Sequence, residues 1–225
     1  AIITREMEGR GKCINLGPCN MGCPQGAKSS VDVTYWPLAL KNGVKLQTNS
    51  RVKEIAVDSK GRATGVFYFN INGKECFQKA KLVIVACHGV GTPRLLLNSK
   101  SKIFPDGIAN RSGLVGKNLM LHPLGFVEGT FNEMLDSHLG PHGCCIQSQE
   151  FYETDSARGY FRGYTMQVLR GPGPLETAYS GVARSEISLG ENHHDTFQSK
   201  LGKTIDIGII VEDLPEEINS VTLDP

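Results

Sequence analysis

The hydrophobic pattern changes character along the chain. Up to about Pro123 apolar and polar positions fall into sharp runs; beyond it they blur into Gly-rich sequence of mixed polarity. Residues 34–43 predict a short helix, with Thr34 as N-cap, Pro37 tolerated in the first turn and Gly43 as the stop. Residues 44–48 and 51–57 predict strands, and Asp58-Ser59-Lys60-Gly61 a turn into the next strand at 63–70. Asn72-Gly73 is a hairpin signal before a strand at 74–80, so this stretch is a β-meander. Residues 82–86, Leu-Val-Ile-Val-Ala, differ in kind. They are apolar throughout, which predicts a strand covered on both faces in a parallel sheet. Gly89 and Gly91 follow, and Pro93 then opens a predicted helix through Leu97. Strand, glycine turn and helix start make half of a nucleotide-binding βα unit. Unpaired amides and the helix dipole at such a start attract phosphate.

Composition narrows the class. The 225 residues can build a substantial core, and 40% hydrophobic with 21% charged residues describes an ordinary globular protein. A formal net charge of +1, with no run of either sign, gives nucleic-acid or membrane-surface binding no electrostatic support. No apolar run approaches the roughly 20 residues of a membrane span. The first residues show no signal peptide and no initiator Met, and the last read as a strand entering a turn, as expected of a fragment. The compartment stays open between cytoplasm and periplasm. Seven cysteines, three of them within residues 13–23, argue against a plain disulfide framework and for a metal or redox role.

The stretch Val83-Ile84-Val85-Ala86-Cys87-His88-Gly89-Val90-Gly91-Thr92-Pro93-Arg94-Leu95-Leu96-Leu97-Asn98-Ser99 resembles the second signature of the glucose–methanol–choline (GMC) flavoproteins. Ser112-Gly113-Leu114-Val115-Gly116-Lys117-Asn118-Leu119-Met120-Leu121-His122-Pro123 resembles that family's next landmark. Upstream, Gly26-Ala27-Lys28-Ser29-Ser30 and the helix around Trp36 sit where the family has a conserved helix. The resemblance implies a mixed α/β and α+β fold. Residues 1–123 would be part of an FAD-binding, Rossmann-like domain (parallel sheet plus β-meander) with a Cys-rich loop. Residues 124–225 would be part of a substrate domain built on an antiparallel sheet. It also implies that the backbone of Val52 meets the adenine edge and that Ala86, Cys87 and Gly89 line the adenine and pyrophosphate side. His88 stands where relatives have a small residue or Asn. The family's Gly-x-Gly-x-x-Gly turn is expected before this chain and its catalytic His after it.

Cys13-x5-Cys19-x3-Cys23-Pro24 is a second chemical signal. Thiolates at this density suit zinc or an iron–sulfur cluster, and equally suit small apolar residues with no ligand role. The resemblance extends to the branch with glucose, gluconate, fructose and sorbitol dehydrogenases, where such a loop in some members holds a three-iron cluster that passes electrons to a cytochrome. Zinc would want a fourth ligand. Cys76 reads as a strand residue, Cys87 as a buried strand end and Cys144-Cys145 as packing. His193-His194-Asp195 reads as an exposed polar loop rather than a metal site, and His122 as a structural hydrogen-bonding residue. His138 and His142, in a Gly/Pro loop, are given no role. Glu212-Asp213 reads as a solvated strand edge.

What the resemblance implies for the whole protein is FAD-dependent oxidation of the CH–OH group of a sugar, polyol or other alcohol, with a cytochrome or quinone as acceptor. Sterol or long-chain alcohol oxidation is the alternative within the class. A truncated, non-catalytic binding module is the alternative outside it.

Overall fold

A computed structural model describes residues 2–19, 21–141 and 143–224, with the backbone alone for Cys144 and Cys145. His142 therefore lies outside the described residues. The meander is present. β1 (Arg51–Val57), β2 (Ala63–Phe69) and β3 (Glu75–Lys79) pair antiparallel in that order. Asp58 closes the first turn by accepting the amides of Lys60 and Arg62 (2.8 and 2.9 Å), and Asn70 does the same for Asn72 and Lys74. Phe67 stands opposite Phe77 with ring centroids 4.9 Å apart, an aromatic cross-strand pair that holds the register.

α1 (Tyr35–Lys41) matches the predicted helix, although the Thr34 hydroxyl donates back to Ser30 O instead of capping. Several expectations fail. Residues 44–48 form no strand and are exposed. Residues 82–86 form no strand either, with Leu82 75% and Ile84 81% exposed, and both sheets among the described residues are antiparallel. A run of β-branched residues is strand-prone, but a strand exists only where another offers it hydrogen bonds. Third, α2 runs His88–Asn98, so Pro93 lies inside it rather than at its start. The missing Pro93 amide would have faced the carbonyl of Gly89, in the first turn, where the helical ladder is barely begun. Cys87, expected at a buried strand end, is the half-buried N-cap of α2.

Two compact units result. One comprises Lys45–Leu121 with Asp213–Pro225. Its core is the junction of β1 and α2, where Ile55 and Leu95 are 7% and 6% exposed. Burying two such side chains contributes about 1.5–3 kcal/mol each. Residues 219–221 add no strand here; Asn219 O accepts the Leu119 amide and Val221 N–H donates to Gly116 O.

The other unit comprises Ala1–Val44 with His122–Glu212. It holds a four-stranded antiparallel sheet that the blurred sequence pattern did not announce: β4 (Leu124–Thr130), β5 (Cys144–Ser148), β6 (Tyr164–Arg170) and β7 (Thr204–Val211), in the order β4-β7-β6-β5. Between β6 and β7 lie α3 (Pro174–Ala183) and α4 (His193–Lys200). Gly181 of α3 lets Ile187 close in, since a Cβ there would fall 2.5 Å from Ile187 Cδ1. His193, His194 and Asp195 open α4 and are helical, not a loop, and His194 Nε2 bonds Gln198 four residues on.

Candidate cofactor and cysteine sites

The β1–α2 junction is built by two side chains at the end of the helix. Ser99 Oγ donates to Leu95 O (2.7 Å) and accepts the Ile55 amide (2.9 Å), while Asn98 Nδ2 donates to Lys53 O (2.7 Å). Val52, half-buried, precedes this clamp and pairs with Tyr68. The register shifts between Val52 and Glu54, so Lys53 stands outside the regular ladder. Its ammonium meets Glu75 at 2.7 Å, and that bond raises the lysine pKa. Both side chains face water, so the pair contributes little stability.

At the other end of α2 the backbone is open. Ala86 and Gly89 are exposed, and a Cβ on Gly89 would meet nothing within 4 Å. The Cys87 amide donates to Thr92 Oγ1 (3.1 Å) and the Val90 amide to His88 Nδ1 (3.2 Å). His88 takes a left-handed φ of 55° to make this turn, a conformation uncommon for a residue other than glycine. From Gly89 to Asn98, at 1.5 Å per residue, the helix rises about 13 Å. Val52 and Gly89 thus flank α2 from opposite ends rather than touching. Open space beside Gly89 and an exposed Ala86 leave the backbone at this end of the helix accessible to a ligand.

The cysteine loop belongs to the other unit. Arg10 fixes its closing turn, donating from Nε to Gly26 O (2.8 Å) and from Nη2 to Ser29 Oγ (2.8 Å). Cys13, Cys19 and Cys23 are all half-buried and line one recess of about 20 Å³, enough for a single water. Yet among the described residues no three or more His, Cys, Asp or Glu side chains are grouped so as to hold a metal ion. As arranged, the three thiols share a wall without converging. Cys23 is distinct in one respect. The Lys28 amide foremost, with those of Ala27, Gln25 and Gly26, lowers its thiol pKa against an opposing desolvation. Backbone N–H groups favour the thiolate, which accepts their hydrogen bonds.

His122 has the structural role expected of it, with Nδ1 3.3 Å from Val211 O. Glu212 is exposed and Asp213 half-buried, and Asp213 accepts the amides of Leu121 and Leu214. The pattern gave no hint of Asn98 and Ser99 as the clamp. It also missed His138 and Arg170, which face a cavity. The signal available for Arg170 was its place at a strand end, just before Gly171-Pro172-Gly173-Pro174.

Comparison with known proteins agrees with these landmarks. The sequence profile of the family described as GMC oxidoreductase matches residues 2–124. The chain belongs to the GMC oxidoreductase family. Members of this family bind FAD. A 2-methyl-1,2-propanediol dehydrogenase of Mycolicibacterium austroafricanum is 40% identical over 100% of this chain and 41% of its own length. The fructose dehydrogenase large subunit of Gluconobacter japonicus is 35% identical over 53% of this chain and 22% of its own length. A long-chain-alcohol oxidase of Arabidopsis thaliana, FAO4B, is 30% identical over 52% of this chain and 16% of its own length. The GMC chain described here thus spans about two fifths, at most, of these relatives.

Proposed function

We propose that this chain is part of an FAD-dependent dehydrogenase that oxidises the CH–OH group of a small diol, polyol or sugar. The observation that carries this reading is the 40% identity, over the whole chain, to a dehydrogenase of a branched diol. When bound, the flavin supplies the acceptor for the hydride leaving the alcohol carbon. The residues of this chain would bind and orient it: the backbone of Val52 at the adenine edge, and Ala86, Cys87 and Gly89 beside the adenine and pyrophosphate. Support comes from the open backbone at Gly89 and from the clamp that fixes β1 against α2. Long-chain alcohols are the alternative substrates. For the whole protein we take residues 1–123 as the FAD-binding part and 124–225 as the substrate part, supported by the end of the family match at residue 124. A cytochrome or quinone is the proposed electron acceptor.

The test uses the whole flavoprotein. Anaerobic addition of 2-methyl-1,2-propanediol, fructose or a long-chain alcohol should bleach the flavin, fastest with the diol or the sugar. Gly89→Val should lower flavin content by tenfold or more with an unchanged circular-dichroism spectrum, because the new side chain has free space in the protein alone. Full flavin occupancy in that variant would remove Gly89 from the site. No bleaching by any alcohol would overturn the function.

A cluster on Cys13, Cys19 and Cys23 is a second, narrower reading, favoured by the recess that the three thiols share. It requires the loop to tighten on loading, as metal sites that form with their ligand do. Anaerobically purified protein should then contain iron and acid-labile sulfide, lost in Cys19→Ser with flavin retained. Iron-free protein that still reduces its acceptor would exclude it.

A further inference from the structure

Where the cysteine loop faces the end of β6 and the start of α3, the unit holding the four-stranded sheet encloses a cavity of about 330 Å³. Its walls are chiefly apolar, with Leu16, Pro18 and Met21 from the loop and Leu175 from the helix. Arg170 and His138 are the basic groups on it.

Arg170 is poorly provided for. One guanidinium nitrogen, Nη1, donates to Leu139 O. Nε is buried with no partner, and among the described residues Arg170 makes no ion pair. Two more orphaned polar atoms lie nearby: Ser137 Oγ, buried and packed against the cavity-wall residue Gly171, and His138 Nδ1. A Cβ on Gly202 would fall 2.8 Å from that Nδ1, so the glycine leaves the ring its place. Buried polar groups almost always find partners, and a guanidinium without a counter-charge is costly. A guanidinium without a counter-charge on the wall of a chiefly apolar cavity points to a ligand that supplies the acceptor.

Glu176 lines the same cavity, but its Oε2 accepts the Gly173 amide at 3.1 Å and is thereby held at the helix start. The helix terminus is already capped by this carboxylate, and recognition of a head group falls to the guanidinium, whose fork matches a carboxylate or phosphate.

We propose that this cavity binds an amphiphilic anion, its carboxylate or phosphate head on Arg170 with His138 beside it, and its short alkyl tail against Leu16, Pro18, Met21 and Leu175. Nothing in this site depends on the alcohol-oxidising reading. It lies in a different unit from the proposed flavin-binding residues.

The test is calorimetric titration of the flavin-loaded whole protein with octanoate, octyl phosphate, inorganic phosphate and 1-octanol. Octanoate or octyl phosphate should bind at least tenfold more tightly than octanol and inorganic phosphate, and the tighter of the two names the head group. Arg170→Gln should abolish this preference for the charged amphiphile. Because loss of a partly buried side chain can disturb folding, Leu175→Glu provides a second variant. Leu175 is 63% exposed at the cavity mouth, and an acid there suits the helix start while repelling an anion. It too should weaken octanoate at least tenfold. Equal binding of octanol and octanoate, equal binding of inorganic and octyl phosphate, or anion binding unchanged in both variants would overturn the proposal. So would no binding of any probe.

Discussion

Ser99 is 1% exposed, and its hydroxyl serves two elements at once, closing α2 on Leu95 O and accepting the Ile55 amide of β1. Ser99→Ala removes both bonds and leaves the Ile55 N–H buried without an acceptor. An orphaned donor of this kind costs about 1–3 kcal/mol. The whole flavoprotein carrying Ser99→Ala should therefore unfold at a lower urea concentration, with the slope of the transition unchanged. An unshifted midpoint would mean that water replaces the hydroxyl. Ser99 belongs to the stretch by which the sequence resembles its family, so its position was legible, but its partner 44 residues away was not. Cys23 makes the same point. The spacing of the cysteines suggested ligands, whereas the backbone amides of residues 25–28 lower the pKa of this one.

Elements followed the sequence wherever their hydrogen bonds are local. The meander depends on tight turns, each closed by an Asx side chain, and β1 has the limits the pattern predicted. Residues 82–86 show the opposite case. Their apolar run meets the compositional requirement for a buried strand, yet Leu82 and Ile84 stand in solvent for want of a neighbour. In the whole flavoprotein these amides should pair, and hydrogen exchange there should be about a hundredfold slower than in the isolated 225-residue chain, as for any segment that gains stable backbone bonds. Equal exchange in the two would show that the extended, unpaired form is the native one. The early start of α2 is a smaller departure of the same kind. Thr92 and His88 side chains take up the amides of the entering turn, and the helix begins five residues before Pro93.

For the whole molecule, the chain separates into two units, and the N-terminal cysteine loop packs in the one that also contains the four-stranded sheet. That association brings Gly140 to the loop, its amide donating to Asn15 O at 2.8 Å, and creates the cavity beside Arg170. The sheet itself joins β4 to β7, strands whose paired residues Thr130 and Thr204 are separated by most of the unit's chain. Pairings so distant carry no local marker. The strands that make them were correspondingly hard to find in a Gly-rich, mixed-polarity sequence.

The sequence by itself determined the family, the meander and its turns, the first helix, and the glycines that leave the start of α2 open. These depend on residues close together in the chain, whose backbone preferences and landmark spacing survive without any tertiary context. Tertiary structure alone decided which apolar runs become strands, that Cys13, Cys19 and Cys23 share a recess without converging, and that Arg170 is left facing a cavity. Each of these rests on distances between segments far apart in sequence. Solvation and hydrogen-bond satisfaction are settled only when those segments meet.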